Sequence, residues 1–299
     1  MNNVLRFLVS AAALGFSTVA STSSADSGHL HPSSVESLSS PDTIRAMFGR
    51  DGQPVVAPTR IWKVLEHGEK VECLSCIPLV SGLLYDSNPK TREISAWWLR
   101  RRIFGVFGPG QIYSRVIDTL NDTSQSEVRR ARAANALGEF LTPSAIRHLS
   151  RAIREDASPS VREASVLALQ RLNSEGSDGE LAFAMSDGEG AVRLAAIRAA
   201  MRINRFTSVT SIVERIGDDS ASVRRAAVSA LGTMRQLDAA PQIAALVSAD
   251  VEDDASVRKA AIWALATLGA SESRDAIRAA LEDPDSLVRD AARTALQRL

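Results

Sequence analysis

The chain has 299 residues, 45% of them hydrophobic and 5% aromatic, with 35 basic and 35 acidic side chains and no net charge. That balance argues against wholesale neutralisation of nucleic-acid phosphates or of an anionic membrane surface, and the apolar content is that of an ordinary globular protein. Only four basic residues are Lys (63, 70, 90 and 259), and the bias toward Arg reads as a genome-composition habit before it reads as a binding surface.

Arg6 is the only charge in the first 25 residues. An apolar stretch runs from Phe7 to Ala20, and small residues follow to Ala25. Ser23-Ser24-Ala25 ahead of Asp26 fits the small-x-small rule for signal peptidase, with Thr18-Val19-Ala20 as a second site. The apolar run is too short and too broken for a transmembrane helix of about 20 residues. Residues 1–25 are therefore expected to be a signal peptide and the mature chain to be exported, periplasmic or extracellular, where thiols tend to pair.

Residues 26–58 read as a Ser/Pro-rich tether with a short helix, and from Ser21 to Ser40 the chain is rich in Ser with little to bury. Within it, Ser40-Pro41-Asp42 predicts the start of a short helix through Phe48, with Pro at its first position. Residues 59–75 read as an N-terminal cap. Thr59 opens a second short helix carrying Ile61, Trp62 and Leu65 and ending at Gly68, and "VECLSC" (71–76) holds the only cysteines, Cys73 and Cys76.

From residue 76 to 299 one phrase returns: Val-Arg, then Ala-rich residues, then Ala-Leu. Clear copies are "VREASVLAL" (161–169), "VRLAAIRAA" (192–200), "VRRAAVSAL" (223–231), "VRKAAIWAL" (257–265) and "VRDAARTAL" (288–296). Looser copies are "TREISAWWL" (91–99) and "VRRARAANAL" (128–137). The anchoring arginines are Arg92, Arg129, Arg162, Arg193, Arg224, Arg258 and Arg289, a period in the low thirties that means a repeat array. In "VRRAAVSALG" the apolar positions Val223, Ala226, Ala227, Ala230 and Leu231 fall at helical spacing, and a first helix such as "AIRHLSRAI" (145–153) precedes each phrase. An acidic residue lies six positions before six of these arginines: Asp86, Asp156, Asp187, Asp218, Glu252 and Asp283. The predicted fold is all-α, a solenoid of about seven stacked helical hairpins, in which each hairpin buries its apolar face on its neighbours.

These residues resemble HEAT repeats, in particular the short bacterial kind related to phycobilisome-lyase repeats. The family phrase is an Ile-Pro-started helix ending in Leu-Leu-x-Asp, followed by Val-Arg and an Ala-Leu helix; it is visible in "CIPLVSGLLYDSNPKTREISAWWL" (76–99). The resemblance implies that the repeated Asp and Arg form an internal polar ladder. It implies no chemistry, because this fold is a scaffold for many functions. One relative of this repeat type is a di-iron hydroxylase with His-Glu pairs on inner helices, but none of His29, His31, His67 and His148 is followed by Glu here. HExxH, Gly-x-Ser-x-Gly and P-loop motifs are absent, and "FGVFGPGQ" (104–111) lacks the Gly-Lys-Ser/Thr ending that grips phosphate. No catalytic residue and no cofactor are expected.

Three readings stay open for Cys73 and Cys76. A structural disulfide across so short a loop is worth only about 2 kcal/mol by loop-closure entropy. A redox pair gains from a helix N-terminus, which lowers a thiol pKa. A metal site needs further ligands, and His67 with the two cysteines makes only three; covalent haem is excluded because Ile77, not His, follows Cys76. The stretch "AWWLRRRIFGVFGPGQIY" (96–113) holds five of the fourteen aromatics. Its Trp97, Trp98 and Phe107 beside Arg100, Arg101 and Arg102 either seal the end of the array or form a partner-docking patch. The sequence reads as an exported, non-catalytic scaffold that binds a protein partner, not nucleic acid or membrane. Its alternative is a redox accessory, an oxidoreductase or electron-transfer partner acting through the Cys pair.

Overall fold

The computed structural model describes residues 40–104, 110–173 and 176–299. The expected signal peptide, the first part of the tether and Phe107 lie outside the described residues. Among those described the chain is helical, with a single isolated β-bridge between Phe48 and Pro54, and no helix is long and apolar enough to cross a membrane.

Two short helices, α1 (Pro41–Arg45) and α2 (Pro58–His67), precede the array. Seven hairpins follow, each a shorter A helix and a longer B helix. The A helices are α3 (Cys76–Gly82), α5 (Gln111–Asn121), α7 (Ile146–Glu155), α9 (Asp178–Ala184), α11 (Val209–Val213), α13 (Ala240–Ala245) and α15 (Arg274–Ala279). Their B partners are α4 (Pro89–Phe104), α6 (Glu127–Glu139), α8 (Pro159–Leu172), α10 (Gly190–Ala200), α12 (Ala221–Thr233), α14 (Ala255–Leu268) and α16 (Ser286–Leu296). Most A helices are flanked by a 3-10 turn before or after them.

The B helices carry the Val-Arg phrase because their starts are capped. Ser126, Asp254 and Asp285 accept backbone N–H bonds through their side chains, which satisfies donors that a helix start leaves without partners. At the other end, Asn173 and Gly269 take the left-handed conformation that stops α8 and α14 (φ 43° and 67°).

The ladder welds one hairpin to the next. Arg162 donates from Nε and Nη2 to both carboxylate oxygens of Asp187 (2.7 and 2.8 Å), while its Nη1 donates to the Asp156 and Ala157 carbonyls of its own turn. Arg193 repeats this with Asp218, Arg224 with Glu252 and Arg258 with Asp283. In the second hairpin the rung is Arg130 to Asp156, not Arg129 as the phrase alignment suggested. The extra residue in "VRRARAANAL" turns Arg129 outward, over the ring of Tyr85 at 4.0 Å from its centroid. The first rung lacks its carboxylate: Ser124 stands six residues before Arg130, so Arg92 bonds only the carbonyls of Asp86 and Ser87.

The ladder carboxylates Asp187, Asp218, Glu252 and Asp283 feel burial first, which opposes ionisation. Hydrogen bonds from their arginines and from a backbone N–H outweigh it and hold each below its usual range.

Close packing between B helices uses small residues in register. A Cβ built on Gly138 of α6 would lie 2.8 Å from Ala168 Cα of α8, and one on Gly232 of α12 would lie 2.9 Å from Ala264 Cα of α14. Helix propensity alone favours Val over Gly by a fraction of about 1 kcal/mol, but here the obstruction is backbone and cannot swing aside. Gly138→Val is therefore expected to destabilise by about 1–3 kcal/mol, read as a lowered thermal midpoint. A midpoint at or above that of the parent protein would show that α6 and α8 can part at no cost.

The short N-terminal helices are packed more firmly than a tether would be. Ser40 caps α1 by accepting from Thr43 N at 3.1 Å, and Ile44, Met47 and Phe48 are buried in the core. The short helix expected from Ser40-Pro41-Asp42 forms but ends at Arg45 and not at Phe48, and Ile44, Met47 and Phe48 join the core.

Candidate functional site

Trp98 decides how the N-terminal end is built. It occupies the position that the later hairpins give to Ala168, Ala199, Ala230, Ala264 and Ala295. Those alanines permit a close neighbouring B helix; the first hairpin has no B helix before it, and the larger ring fills the space against α2. Trp98 is fully buried and donates from its indole N–H to the Gly68 carbonyl at 2.9 Å. One helical turn on, Arg102 is 2% exposed and its guanidinium stacks 3.5 Å from the Trp98 ring centroid. It donates to the carbonyls of Gly68, Glu69, Val71 and Trp98. Burial draws its pKa down to about 10, with Glu72 and Glu69 opposing and Arg101 assisting.

The docking patch expected around these residues does not assemble. Trp98 and Arg102 share one helix face at i, i+4 spacing, and that face points inward. Trp97 and Arg100 are half-buried, and Arg101 is exposed and pairs with Glu69 at 3.6 Å. Among the described residues, Trp98 and Arg102 close this end of the array.

The strand of chain that Arg102 clamps leads directly to the cysteines. Cys76 is the first residue of α3 and Cys73 lies in the turn before it; their Sγ atoms are 2.04 Å apart and their Cα atoms 5.3 Å apart. Both are buried, Cys73 at 5% exposure and Cys76 at 0%. Helix α1 roofs them, with the Pro41 carbonyl 3.7 Å from Cys76 Sγ. Arg45 of α1 donates to Ser75 Oγ at 3.0 Å, lies 3.7 Å from Cys73 Sγ and pairs with Asp42. His67 does not join them. Its Nδ1 sits 2.7 Å from the Lys63 carbonyl of its own helix, and among the described residues no group of three or more His, Cys, Asp or Glu gathers to hold a metal. The His67–Cys73–Cys76 metal alternative therefore finds no support in the geometry.

A second surface went unnoticed in the sequence. Helices α10, α12 and α14 contain no acidic residue at all, whereas the B helices on either side carry Glu163 and Asp290. Their ladder arginines are consumed by carboxylates of the following turns. Arg198, Arg202, Arg225 and Lys259 are not: none has an ion pair or hydrogen bond among the described residues. The first three are exposed and Lys259 is half-buried. Two adjoining hollows, of about 380 and 310 Å3, run between these helices and share Arg225 and Ser229 as a common wall. Met201 lines one and Trp263 the other, so the cations alternate with apolar side chains. The signal was present in "VRLAAIRAA", "VRRAAVSAL" and "VRKAAIWAL", which pair their Arg with further cations and with no acid.

HEAT repeats match residues 77–170, 178–255 and 243–299, well over half of the chain. The Escherichia coli protein YibA is similar in structure over 86% of this chain and 92% of its own, at 17% identity and a TM-score of 0.54. A chain of the structure describing Kap95p binding to RanGDP aligns over 86% of this chain and 40% of its own, at 12% identity and a TM-score of 0.54. The archaeal HEAT-like repeats protein of Thermococcus onnurineus NA1 aligns over 74% and 96%, at 12% identity and a TM-score of 0.49. No curated protein sequence matches the chain. The structural likenesses are of fold; the repeat match carries the family. The chain belongs to the HEAT-repeat family.

Proposed function

We propose that the protein is an exported, non-catalytic scaffold of the phycobilisome-lyase-like HEAT type that holds a protein partner, with Cys73 and Cys76 joined as a disulfide that stiffens its N-terminal cap. The observation that supports it most is the open B-helix face of α10, α12 and α14, where the side chains of Arg198, Arg225 and Lys259 have no ion pair or hydrogen bond among the described residues, and where Met201 and Trp263, the latter with Arg298 5.2 Å from its ring centroid, line the hollows beside them. One chain of similar fold comes from the structure describing Kap95p binding to RanGDP, a complex between proteins. Export rests on the leader-like first 25 residues.

Arg45 beside Cys73 favours a thiolate and so lends something to the redox alternative. Against it, Cys76 is fully buried under α1, and a dithiol partner has to lift that helix before it reaches sulfur. One pair of measurements separates the two. With a captured partner in hand, Cys73→Ser is expected to keep binding, and reduction of the parent protein to cost about 2 kcal/mol or less by loop-closure entropy. Loss of binding or of function on that substitution, together with a reduction potential close to those of thiol oxidants, transfers the reading to the redox accessory.

A further inference from the structure

We infer that the face formed by α10, α12 and α14 is a binding groove for an extended acidic polypeptide segment that carries at least one apolar side chain, a reading that rests on the scaffold function proposed above. The chemistry is set by four cations: Arg198, Arg225 and Lys259 on three successive B helices that hold no Asp or Glu, and Arg202 in the turn that follows α10. In a chain of zero net charge, such a segregated row is a local field that attracts carboxylates and repels a basic segment.

Shape supports a peptide. Adjacent helices lie about 8–10 Å apart, so the row spans roughly 20 Å, the reach of about six extended residues at ~3.3 Å each. Trp263 lines the hollow beside Lys259, and Met201 lines the one beside Arg198 and Arg202. Arg and Trp are the side chains that interfaces favour, and an apolar anchor on the ligand buries against them where carboxylates flank it.

Nucleic acid fits less well. Four free cations fall short of the roughly 6–10 phosphate contacts of a typical duplex binder, and a single half-buried Trp offers no row of stacking platforms.

The test uses the full chain and a fluorescent nine-residue peptide of Asp and Glu with one central Leu, followed by anisotropy at low and high salt. Binding that weakens with salt is expected, with roughly tenfold loss in the double variant Arg198→Glu/Arg225→Glu. Retention by Arg198→Lys/Arg225→Lys is expected as well; all four substitutions are at exposed positions, and helicity checks the fold. The same peptide with Asn and Gln is expected not to bind. No binding of the acidic peptide overturns the inference. So does binding indifferent to the charge reversal, or tighter binding of a nine-residue oligo-dT or of phosphatidylserine vesicles.

A second arm separates this inference from the scaffold reading. Amine crosslinking reports on only four lysines, of which Lys259 alone lies in the groove. A captured partner crosslinked through Lys259 joins the peptide result in support. A partner crosslinked only through Lys63, Lys70 or Lys90 overturns the groove and leaves the scaffold standing, and a protein that binds neither peptide nor partner overturns both.

Discussion

Replacing Arg258 with Met is expected to cost about 3–5 kcal/mol, the penalty for leaving a buried charge without its counter-ion. Arg258 and Asp283 are 4% and 2% exposed in their side chains. The guanidinium donates to both carboxylate oxygens of Asp283 (2.8 and 2.9 Å) and, from Nη1, to the carbonyls of Glu252 and Asp253 (2.8 and 2.9 Å). Removing it strands the Asp283 carboxylate and two carbonyls at the junction of the sixth and seventh hairpins. In an array whose units touch only their neighbours, the loss concentrates there, and α15 and α16 are expected to lose amide protection well before α8 does. A chemical-denaturation midpoint within error of the parent's is the result that sinks this account of the ladder.

The pH dependence of the penalty in that variant gives an independent check. In the parent, the ladder carboxylates are held below their usual range. Their contribution is fully present above the unfolded values near 4 and is lost as pH falls through the depressed folded ones. Stability is thus expected to be flat from neutrality to about pH 5 and to fall steeply below about pH 4. In Arg258→Met, Asp283 loses the arginine that offsets its burial and keeps only the Asp285 backbone N–H and the charge of Arg289, so its pKa is expected to rise above the parent's. Acidification then neutralises the stranded charge, so the penalty is expected to be smaller at pH 4 than at pH 7. A penalty that grows on acidification contradicts the pairing.

The solenoid was legible because its determinants are local and repeated. Helical spacing, the Val-Arg phrase and the acid six residues before it recur often enough that one irregular copy hardly matters. The irregular copy is where the reading slipped. One inserted residue in "VRRARAANAL" moves the rung from Arg129 to Arg130, and only packing tells which arginine turns inward. The seal at Trp98 was half legible for the same reason: a single copy cannot show whether a large side chain closes an end or offers a handle. The helix that opens at Ser40 was legible from its cap, but its burial was not, because Ile44, Met47 and Phe48 have no period of their own. Their burial depends on a surface supplied by the first hairpin. The cationic groove escaped notice because it is an absence, three helices without an acid, visible only once the ladder arginines are known to be paired.

Arg102→Met is expected to uncouple the cap from the array at a cost of about 2–4 kcal/mol, the penalty for two buried carbonyls left without donors. The carbonyls in question are those of Glu69 and Val71, which Arg102 bonds at 2.7 and 2.6 Å. Gly68 keeps the indole N–H of Trp98, and Trp98 lies within a helix, so neither is stranded. Met recovers some of the desolvation cost that draws the arginine's pKa down to about 10, which places the penalty below that of Arg258. Lysine is expected to rescue little, since a single ammonium lacks the guanidinium's planar fork, which reaches the Gly68, Glu69, Val71 and Trp98 carbonyls together. Because the clamped strand 68–71 leads into Cys73, its release also loosens the roof over the sulfur pair. Hydrogen exchange is expected to show α1, α2 and the start of α3 losing protection together while α12 to α16 keep theirs, and thiol-disulfide exchange at Cys73 to quicken in the variant. Loss of protection spread evenly along the chain, or exchange at Cys73 no faster than in the parent, contradicts a clamp at Arg102 and leaves α1 to hold the cap by itself.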